Sequence, residues 1–420
     1  MFCCRVKNAL CCWGWKVSYS NPELILPELK ACESKSRPLN LIQASSFLPV
    51  ENTGAAGSLI EIARGLRSIG HNVDELWIPD SPGGRWRKEF SRSGIQARFL
   101  LDAVASRPDL DAVMVSQPYC WKAFQAIRKQ FPKIALINRT HGWEARGIER
   151  RNITPWEKPG NLFKRFGRSL SQALMKSWCL KTLAAADLLV TPSKRGKEWI
   201  RKEYPNYVGK VVSVPYGFDK DKIQIPKPFK KSEIVQLIFA GQYMPVKGCR
   251  VLEEYLPDVA GSYPNTTLKM IVQESAHPRI RERLGQYWGD RLKVLPWLGR
   301  ENLFRELMES DIFMAPSYFE GWCKTAMEAV MAGCHVVGFA EGFLAEANCP
   351  KVHVVPVADS EGFSIKLKEV IESYLVSRDH MDGPNGYPNV ISWEDSARLL
   401  AHAISKVVDS RQNLVKEGQI

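Results

Sequence analysis

Two acidic side chains in the second half of the chain stand where chemistry could be done. Glu320 and Glu328 lie in the stretch Ala315–Gly333, APSYFEGWCKTAMEAVMAG. The preceding run Asp311-Ile312-Phe313-Met314-Ala315 is apolar enough for a buried parallel strand, and Pro316-Ser317 stops it. From Thr325 an Ala- and Met-rich run predicts a helix, which puts Glu320 in the turn and Glu328 one turn into the helix. A helix opening beside the C-terminal end of a parallel strand offers free backbone N–H groups and a positive dipole end. That suits a diphosphate, with an acid beyond the turn to hold sugar or ribose hydroxyls. A nucleotide-sugar is the natural occupant. Spacing alone does not argue this. Glu149/Glu157, Glu274/Glu282, Glu301/Glu309 and Glu361/Glu369 stand the same distance apart, and each reads as a solvated helix face. Context is what distinguishes Glu320 and Glu328: strand, Pro-Ser stop, Glu-Gly turn, then helix.

The elements that must position this pair repeat one pattern twice. In the first half, Leu39–Ala44 reads as a strand and Asn52–Gly57 as a small-residue loop. The loop opens a helix over Ser58–Ile69, and Val73–Ile78 is the next strand. This β–Gly loop–α–β order begins a doubly wound parallel sheet, in which Gly54 and Gly57 let backbone approach a ligand closely. Residues 81–95 read as a polar loop running into irregular helix. Ala112–Gln117, Ile134–Asn138, Ala185–Ser193 and Val211–Asp219 supply further strands or strand ends, and Lys194–Glu203 a helix. His141 follows one of these strands, where open α/β sheets bind ligands; a hydrogen-bonded structural histidine is the alternative. The Lys- and Pro-rich residues 220–232 read as a linker. Strands at Val235–Gly241, Leu268–Val272, Leu292–Pro296, Ile312–Met314, Cys334–Gly338 and Val352–Val355 then restart the pattern. A helix over Cys249–Ala260 follows Lys247-Gly248, and a helix over Ser392–Val408 closes the series. The predicted fold is α/β: two doubly wound Rossmann-like domains facing across a cleft, with the C-terminal helix returning toward the first. The predicted division is an extension over 1–37, a first domain over 38–219, the linker 220–232, a second domain over 233–391, and the helix and tail over 392–420.

Charge divides as the domains do. The chain of 420 residues carries a net charge of +13, yet residues 1–219 hold 34 Lys+Arg against 19 Asp+Glu while the remainder holds 24 against 26. An anionic membrane surface accounts for that asymmetry, and nucleic acid is a rival explanation. The most basic amphipathic segment spans residues 146–181. There Phe163, Phe166, Leu170, Leu174 and Trp178 interleave with Lys164, Arg165, Arg168, Lys176 and Lys181. The pattern fits a helix at a membrane interface, or an ordinary helix burying one stripe in the core. No apolar run approaches the roughly 20 residues of a membrane span. The interrupted MFCCRVKNALCCWGWKV makes a poor secretory signal, so the expected location is the cytoplasm, at the inner face of the membrane. Eleven cysteines without regular spacing do not form a disulfide framework. The adjacent pairs Cys3-Cys4 and Cys11-Cys12 lack the spacing of a zinc site, and they read as part of a poorly ordered extension, with lipidation as the alternative.

Taken in order, several segments resemble one family. They are the 52–57 loop with its helix, TPS at 191–193, VVSVPYGFD at 211–219 and FAGQYMPVKG at 239–248, then SDIFMAPSYFEGWCKTAMEAVMAGCHVV at 310–337 and SWEDSA at 392–397. Together they resemble the retaining nucleotide-sugar glycosyltransferases of the group-1 class, glycosyltransferase family 4, built on the two-Rossmann-domain GT-B plan. The resemblance implies that Glu328 binds the ribose and that Glu320 contacts the donor sugar along with the backbone of Gly321, Trp322 and Cys323. Lys324 and Thr325 would open the donor-binding helix. Lys247 would neutralise the donor diphosphate as the leaving group departs. Gly54 and Gly57 would approach the diphosphate from the first domain, Gly241 would end the strand beneath it, and His141 would touch the donor sugar. Two positions depart from the family. An Arg often follows the strand-end Gly, where this chain has Gln242, so neutralisation rests more heavily on Lys247 and the helix dipole. The usual Asn before the Gly of 211–219 is Tyr216.

The implied reaction is transfer of a hexose-type sugar, as in polysaccharide biosynthesis, with the anomeric configuration retained and no protein nucleophile, metal or other cofactor. The sequence has no carboxylate-rich metal cluster. The expected partners are a nucleotide-sugar donor, a lipid-linked or glycan acceptor and an anionic membrane met peripherally through Lys164, Arg165 and Arg168, with no nucleic acid. The rival reading is a catalytically weak sugar-nucleotide-binding or scaffolding protein on the same fold.

Overall fold

Short β-branched runs pair into two parallel six-stranded sheets. The structure, a computed structural model, describes residues 37–45, 54–78, 85–116, 120–155, 162–219, 233–376 and 390–418. The extension to residue 36 with its cysteine pairs, Asn52 and Thr53, and the 220–232 linker lie outside the described residues.

The first sheet contains β1 (Asn40–Ser45), β2 (Asn72–Trp77), β3 (Ala112–Val115), β4 (Ala135–Arg139), β5 (Leu188–Thr191) and β6 (Val211–Ser213) in the order β2-β1-β3-β4-β5-β6. Its strands are joined through α1 (Gly54–Ser68), α2 (Arg85–Ala105), α3 (Trp121–Gln130), α4 (Glu144–Ile153), α5 (Leu162–Ala185) and α6 (Lys194–Glu203). Strands β3, β4 and β5 are buried throughout, as strands covered by helices on both faces must be.

Three expectations are corrected here. The helix after β1 starts at Gly54, so Gly54 and Gly57 are first-turn residues and not loop. Ala55 and Ala56 are strong helix formers, and the Ser58 hydroxyl donates back to the Ala55 carbonyl. Residues 85–105 form one regular helix instead of an irregular one. The basic segment 146–181 is divided between α4 and α5.

The second sheet contains β7 (Val235–Ala240), β8 (Thr266–Ile271), β9 (Leu292–Leu295), β10 (Ile312–Ala315), β11 (His335–Phe339) and β12 (Val352–Val355) in the order β12-β11-β10-β7-β8-β9. Its helices are α7 (Cys249–Ser262), α8 (His277–Trp288), α9 (Arg300–Met308), α10 (Lys324–Met331) and α11 (Ser360–Val376). The chain order reverses between β7 and β10. A doubly wound sheet opens its crevice at that switch point, because the connections leave β7 and β10 toward opposite faces.

A final helix, α12 (Trp393–Lys416), returns to the first domain and packs along α1. Its start is built from SWEDSA: Ser392 and Asp395 form a reciprocal capping box. The Ser396 hydroxyl donates to the Pro215 carbonyl at 2.7 Å, and Phe218 N–H donates to the Ile391 carbonyl at 2.8 Å. Gly217 makes this seam close, since a Cβ there would stand 2.4 Å from Trp393 backbone.

Candidate active site

The cavity at this switch point holds about 750 Å³. Gly241 and Gln242 at the end of β7, and Ala315 and Ser317 at the end of β10, form its floor. One wall carries Lys247, Glu320, Cys323, Lys324, Thr325 and Glu328, and the first turn of α1 brings Gly54 and Ala55 from the other domain. Nine of the residues predicted from sequence therefore meet in one space.

Local backbone explains how. Gly248 has a φ of +82°, and a Cβ there would stand 2.2 Å from the Pro316 carbonyl oxygen. Only glycine lets the Lys247 turn close on the end of β10 in this way. Tyr318 N–H then donates to the Val246 carbonyl at 2.9 Å and ties the two loops together. Lys247 Nζ consequently reaches Glu320 Oε1 at 2.7 Å. Burial works against the ammonium, but the Glu320 carboxylate outweighs it and holds Lys247 above the ordinary lysine range. Cys323 occupies the N-cap of α10 at φ +64°, a left-handed conformation costly for a side chain with a Cβ. Burial pushes its thiol well up, so it is no nucleophile at neutral pH. The Cys323 carbonyl accepts the Ala326 and Met327 N–H groups, and the helix opens at Lys324 and Thr325 on the cavity. Gln242 is exposed and adds no charge.

Glu328 is buried one turn into α10 with two cations beside it. Arg300 Nε lies 3.4 Å and Lys324 Nζ 3.8 Å from its Oε1. Arg300, at the start of α9, also donates to Glu61 of α1 at 3.0 Å, so one guanidinium joins the proposed ribose acid to the opposite domain. Sequence reading missed Arg300. A Gly-Arg pair after a strand carries no signal of its own, and its partner Glu61 is 239 positions away.

His141 is half-buried behind the α1 turn. Its Nδ1 lies 2.6 Å from the Tyr216 hydroxyl and 3.3 Å from Ser58 Oγ. Burial, and after it the positive charge of Arg139, holds its pKa down to about 3, so the imidazole is neutral at physiological pH. His141 does not line the cavity, nor do Gly57, Gly321 and Trp322. Gly57 is buried inside α1. The Trp322 ring is core, its N–H donating to Met327 Sδ at 3.3 Å, and its carbonyl already accepts Phe343 N–H at 2.6 Å. Gly321 instead forms the domain contact, because a Cβ on it would stand 1.5 Å from the His141 carbonyl oxygen. Beside that contact, Arg146 of α4 pairs at 2.6 Å and Arg150 at 3.0 Å with the buried Glu341. Lys164, Arg165 and Arg168 fall on α5, with side chains outside the description. No group of three or more metal-ligating side chains occurs among the described residues.

Fold and site together define two Rossmann-like domains with a crevice of about 750 Å³ at the switch point of the second, the GT-B plan. Solved structures confirm that plan across the chain. Sucrose-phosphate synthase from Thermosynechococcus elongatus aligns at 14% identity with a TM-score of 0.63, covering 90% of this chain and 100% of that one. The catalytic domain of starch synthase IV from Arabidopsis thaliana aligns at 13% identity with a TM-score of 0.62, covering 89% and 100%. Residues 235–373, in the second domain, match the family described as glycosyl transferases group 1. Among curated relatives, one subunit of human phosphatidylinositol N-acetylglucosaminyltransferase is 22% identical over 189 residues, which is 44% of this chain and 38% of the relative. D-inositol 3-phosphate glycosyltransferase of Streptomyces avermitilis is 24% identical over 227 residues, covering 49% and 46%. The chain thus matches less than half the length of these relatives.

Proposed function

We propose that this protein transfers a sugar from a nucleotide-sugar to a lipid-linked or glycan acceptor, with retention of anomeric configuration and without a metal. The observation that carries the reading is the cavity at the β7/β10 switch point, where Lys247, the open start of α10 and Glu328 line one wall and the α1 turn faces them. In this reading Glu328 receives the ribose hydroxyls. The diphosphate lies between the α10 start and Lys247, whose ammonium balances the charge that builds on the leaving group. Glu320 positions Lys247 and meets the sugar. The acceptor oxygen bonds to the anomeric carbon as the carbon–oxygen bond to the diphosphate breaks on the same face, and the departing phosphate oxygen takes the hydroxyl proton. Among acceptors a lipid-linked one is favoured, since the human relative is named for phosphatidylinositol. Peripheral membrane contact is supported by the basic first half and by Phe166 and Leu170 on α5, which are 72% and 47% exposed.

The deciding experiment is a screen of UDP-, GDP- and ADP-sugars for nucleotide release, with phosphatidylinositol vesicles or a soluble glycan as acceptor. Wild type should release nucleotide from one donor class, and Lys247→Ala and Glu320→Ala should not. Wild type as inactive as both variants across the panel would mark a sugar-nucleotide-binding protein instead. The anomeric proton coupling of the product reads out retention.

A further inference from the structure

Each cation beside Glu328 has a second partner on the far side of the cleft. Arg300 opens α9, where the helix dipole disfavours a positive charge, so the carboxylates around it must hold it there. One comes from each domain. Arg300 Nη1 donates to Glu61 Oε1 of α1 at 3.0 Å, while Nε stands 3.4 Å from Glu328 Oε1 in a looser ion pair. Lys324 repeats the arrangement. Its Nζ lies 3.8 Å from the same Glu328 oxygen, beyond hydrogen-bond reach, and 5.8 Å from the ring centre of Trp393. Trp393 begins α12, which packs along α1, so both cations lean toward that side.

The uneven sharing has a chemical consequence. A guanidinium bound closely onto Glu328 would take up the lone pairs that a ribose hydroxyl needs. In the structure the hydrogen bond goes to Glu61 and the longer contact to Glu328, so the acid keeps accepting capacity toward the cavity it lines. Glu61 is itself fixed for this task. Its second oxygen accepts Arg64 Nη1 at 3.1 Å, three residues along the same helix, which leaves Oε1 turned to Arg300. The side chains of Arg300, Glu61 and Glu328 are 17%, 20% and 8% exposed, so solvent screens their attraction only in part. Without Glu61 the guanidinium moves onto Glu328, in competition with the ribose. Glu61 does not line the cavity, so its effect on a nucleotide must pass through Arg300.

We propose that Glu61 is a positioning residue: by drawing the Arg300 guanidinium away from Glu328, it sets the affinity of the second domain for the ribose of a nucleotide. The proposal rests on the nucleotide-sugar reading above and adds to it a residue of the first domain that stands outside the cavity.

The test titrates UDP, GDP and ADP into the full chain by calorimetry, then the 2′,3′-dideoxy analogue of whichever nucleotide binds. Glu61→Ala should weaken the ribonucleotide about 5–20-fold. It should leave the dideoxy analogue, which has no hydroxyl for Glu328, unchanged. Arg300→Met lacks the competing cation, so adding Glu61→Ala to it should change ribonucleotide affinity by less than about twofold. A merely structural Glu61 would weaken both nucleotides alike and would do so in Arg300→Met as well; either result overturns the proposal. Should Glu61→Ala not fold, Glu61→Gln keeps the shape, drops the charge and is judged by the same criteria. If none of the three nucleotides binds wild type, the nucleotide-sugar reading falls and this role of Glu61 with it. A ribonucleotide bound equally by wild type and Glu61→Ala removes the role of Glu61 alone.

Discussion

Lys247 meets Glu320 across 73 positions of sequence, and in the proposed transfer that ion pair separates binding from chemistry at the residue scale. A cation that balances charge developing on a leaving group acts in the transition state more than in the ground state. Lys247→Ala should therefore lower kcat by about 10²–10³-fold with a smaller change in KM, measured as nucleotide release. In the same proposal Glu328 faces the opposite case, because the ribose hydroxyls assigned to it do not change during transfer. Glu328→Gln should raise KM for the donor and leave kcat close to wild type; an equal loss in kcat would mean that Glu328 does more than hold the ribose. That Glu320 and Glu328 face one cavity was legible from their place between a strand end and a helix start, while Lys247 was named through the family resemblance. Arg300 and Tyr216 were not legible, since their meaning comes from partners distant in the chain. Tyr216 was noticed only as a departure, and its hydrogen bond to His141 appears only when the segments after β4 and β6 are brought together.

Among elements, the turns that close the cleft are held by contacts no substitution can loosen quietly. Gly321 lies against the His141 carbonyl, where an added Cβ would stand 1.5 Å away on rigid backbone. Gly321→Ala should push the two domains apart, seen as a larger radius of gyration in solution scattering together with a loss of transfer activity. A variant with unchanged scattering would mean that the contact is not maintained in solution. Glu341 gathers Arg146 and Arg150 from α4 while itself 1% exposed. Removing one partner of such a group leaves charge buried and unpaired, so Glu341→Gln should cost about 3–5 kcal/mol, read as a fall in melting temperature. Most strands were legible to within a residue or two, because buried parallel strands are short apolar runs with sharp polar boundaries; the runs 185–193 and 211–219 overshot β5 and β6, which end at Thr191 and Ser213. Helix limits were less so. The Gly54 start was hidden because a glycine beside alanines reads as loop, and the division of 146–181 because basic amphipathic character continues through both helices.

For the whole molecule, burial opposes charge on both acids and bases, and the two sets act in opposite directions with pH. Burial holds His141 to about 3, and burial followed by the Lys366 charge holds His353 to about 4, against an ordinary value of 6.5. Each is neutral in the fold while the unfolded chain takes up a proton below about 6.5, so the unfolded state binds more protons and stability falls as pH drops from 6.5 toward those values. Burial pushes Glu144 and Glu346 up to about 7 from an ordinary 4.5. These hold protons in the fold that the unfolded chain has released, so their stabilisation is complete below about 4.5 and is lost as pH rises through 7. Between 4.5 and 6.5 these histidines and glutamates oppose one another, with His71 and His402, also held below the ordinary value by burial, adding to the histidine side. The melting temperature should accordingly vary least across that window and decline more steeply on the acidic side, in thermal scans at fixed ionic strength. His353→Gln removes one base that the fold keeps neutral, so it should flatten the acidic decline and leave the alkaline side unchanged. An acidic limb as steep as in wild type would show that the carboxylate ion pairs, not the buried histidines, set acid stability.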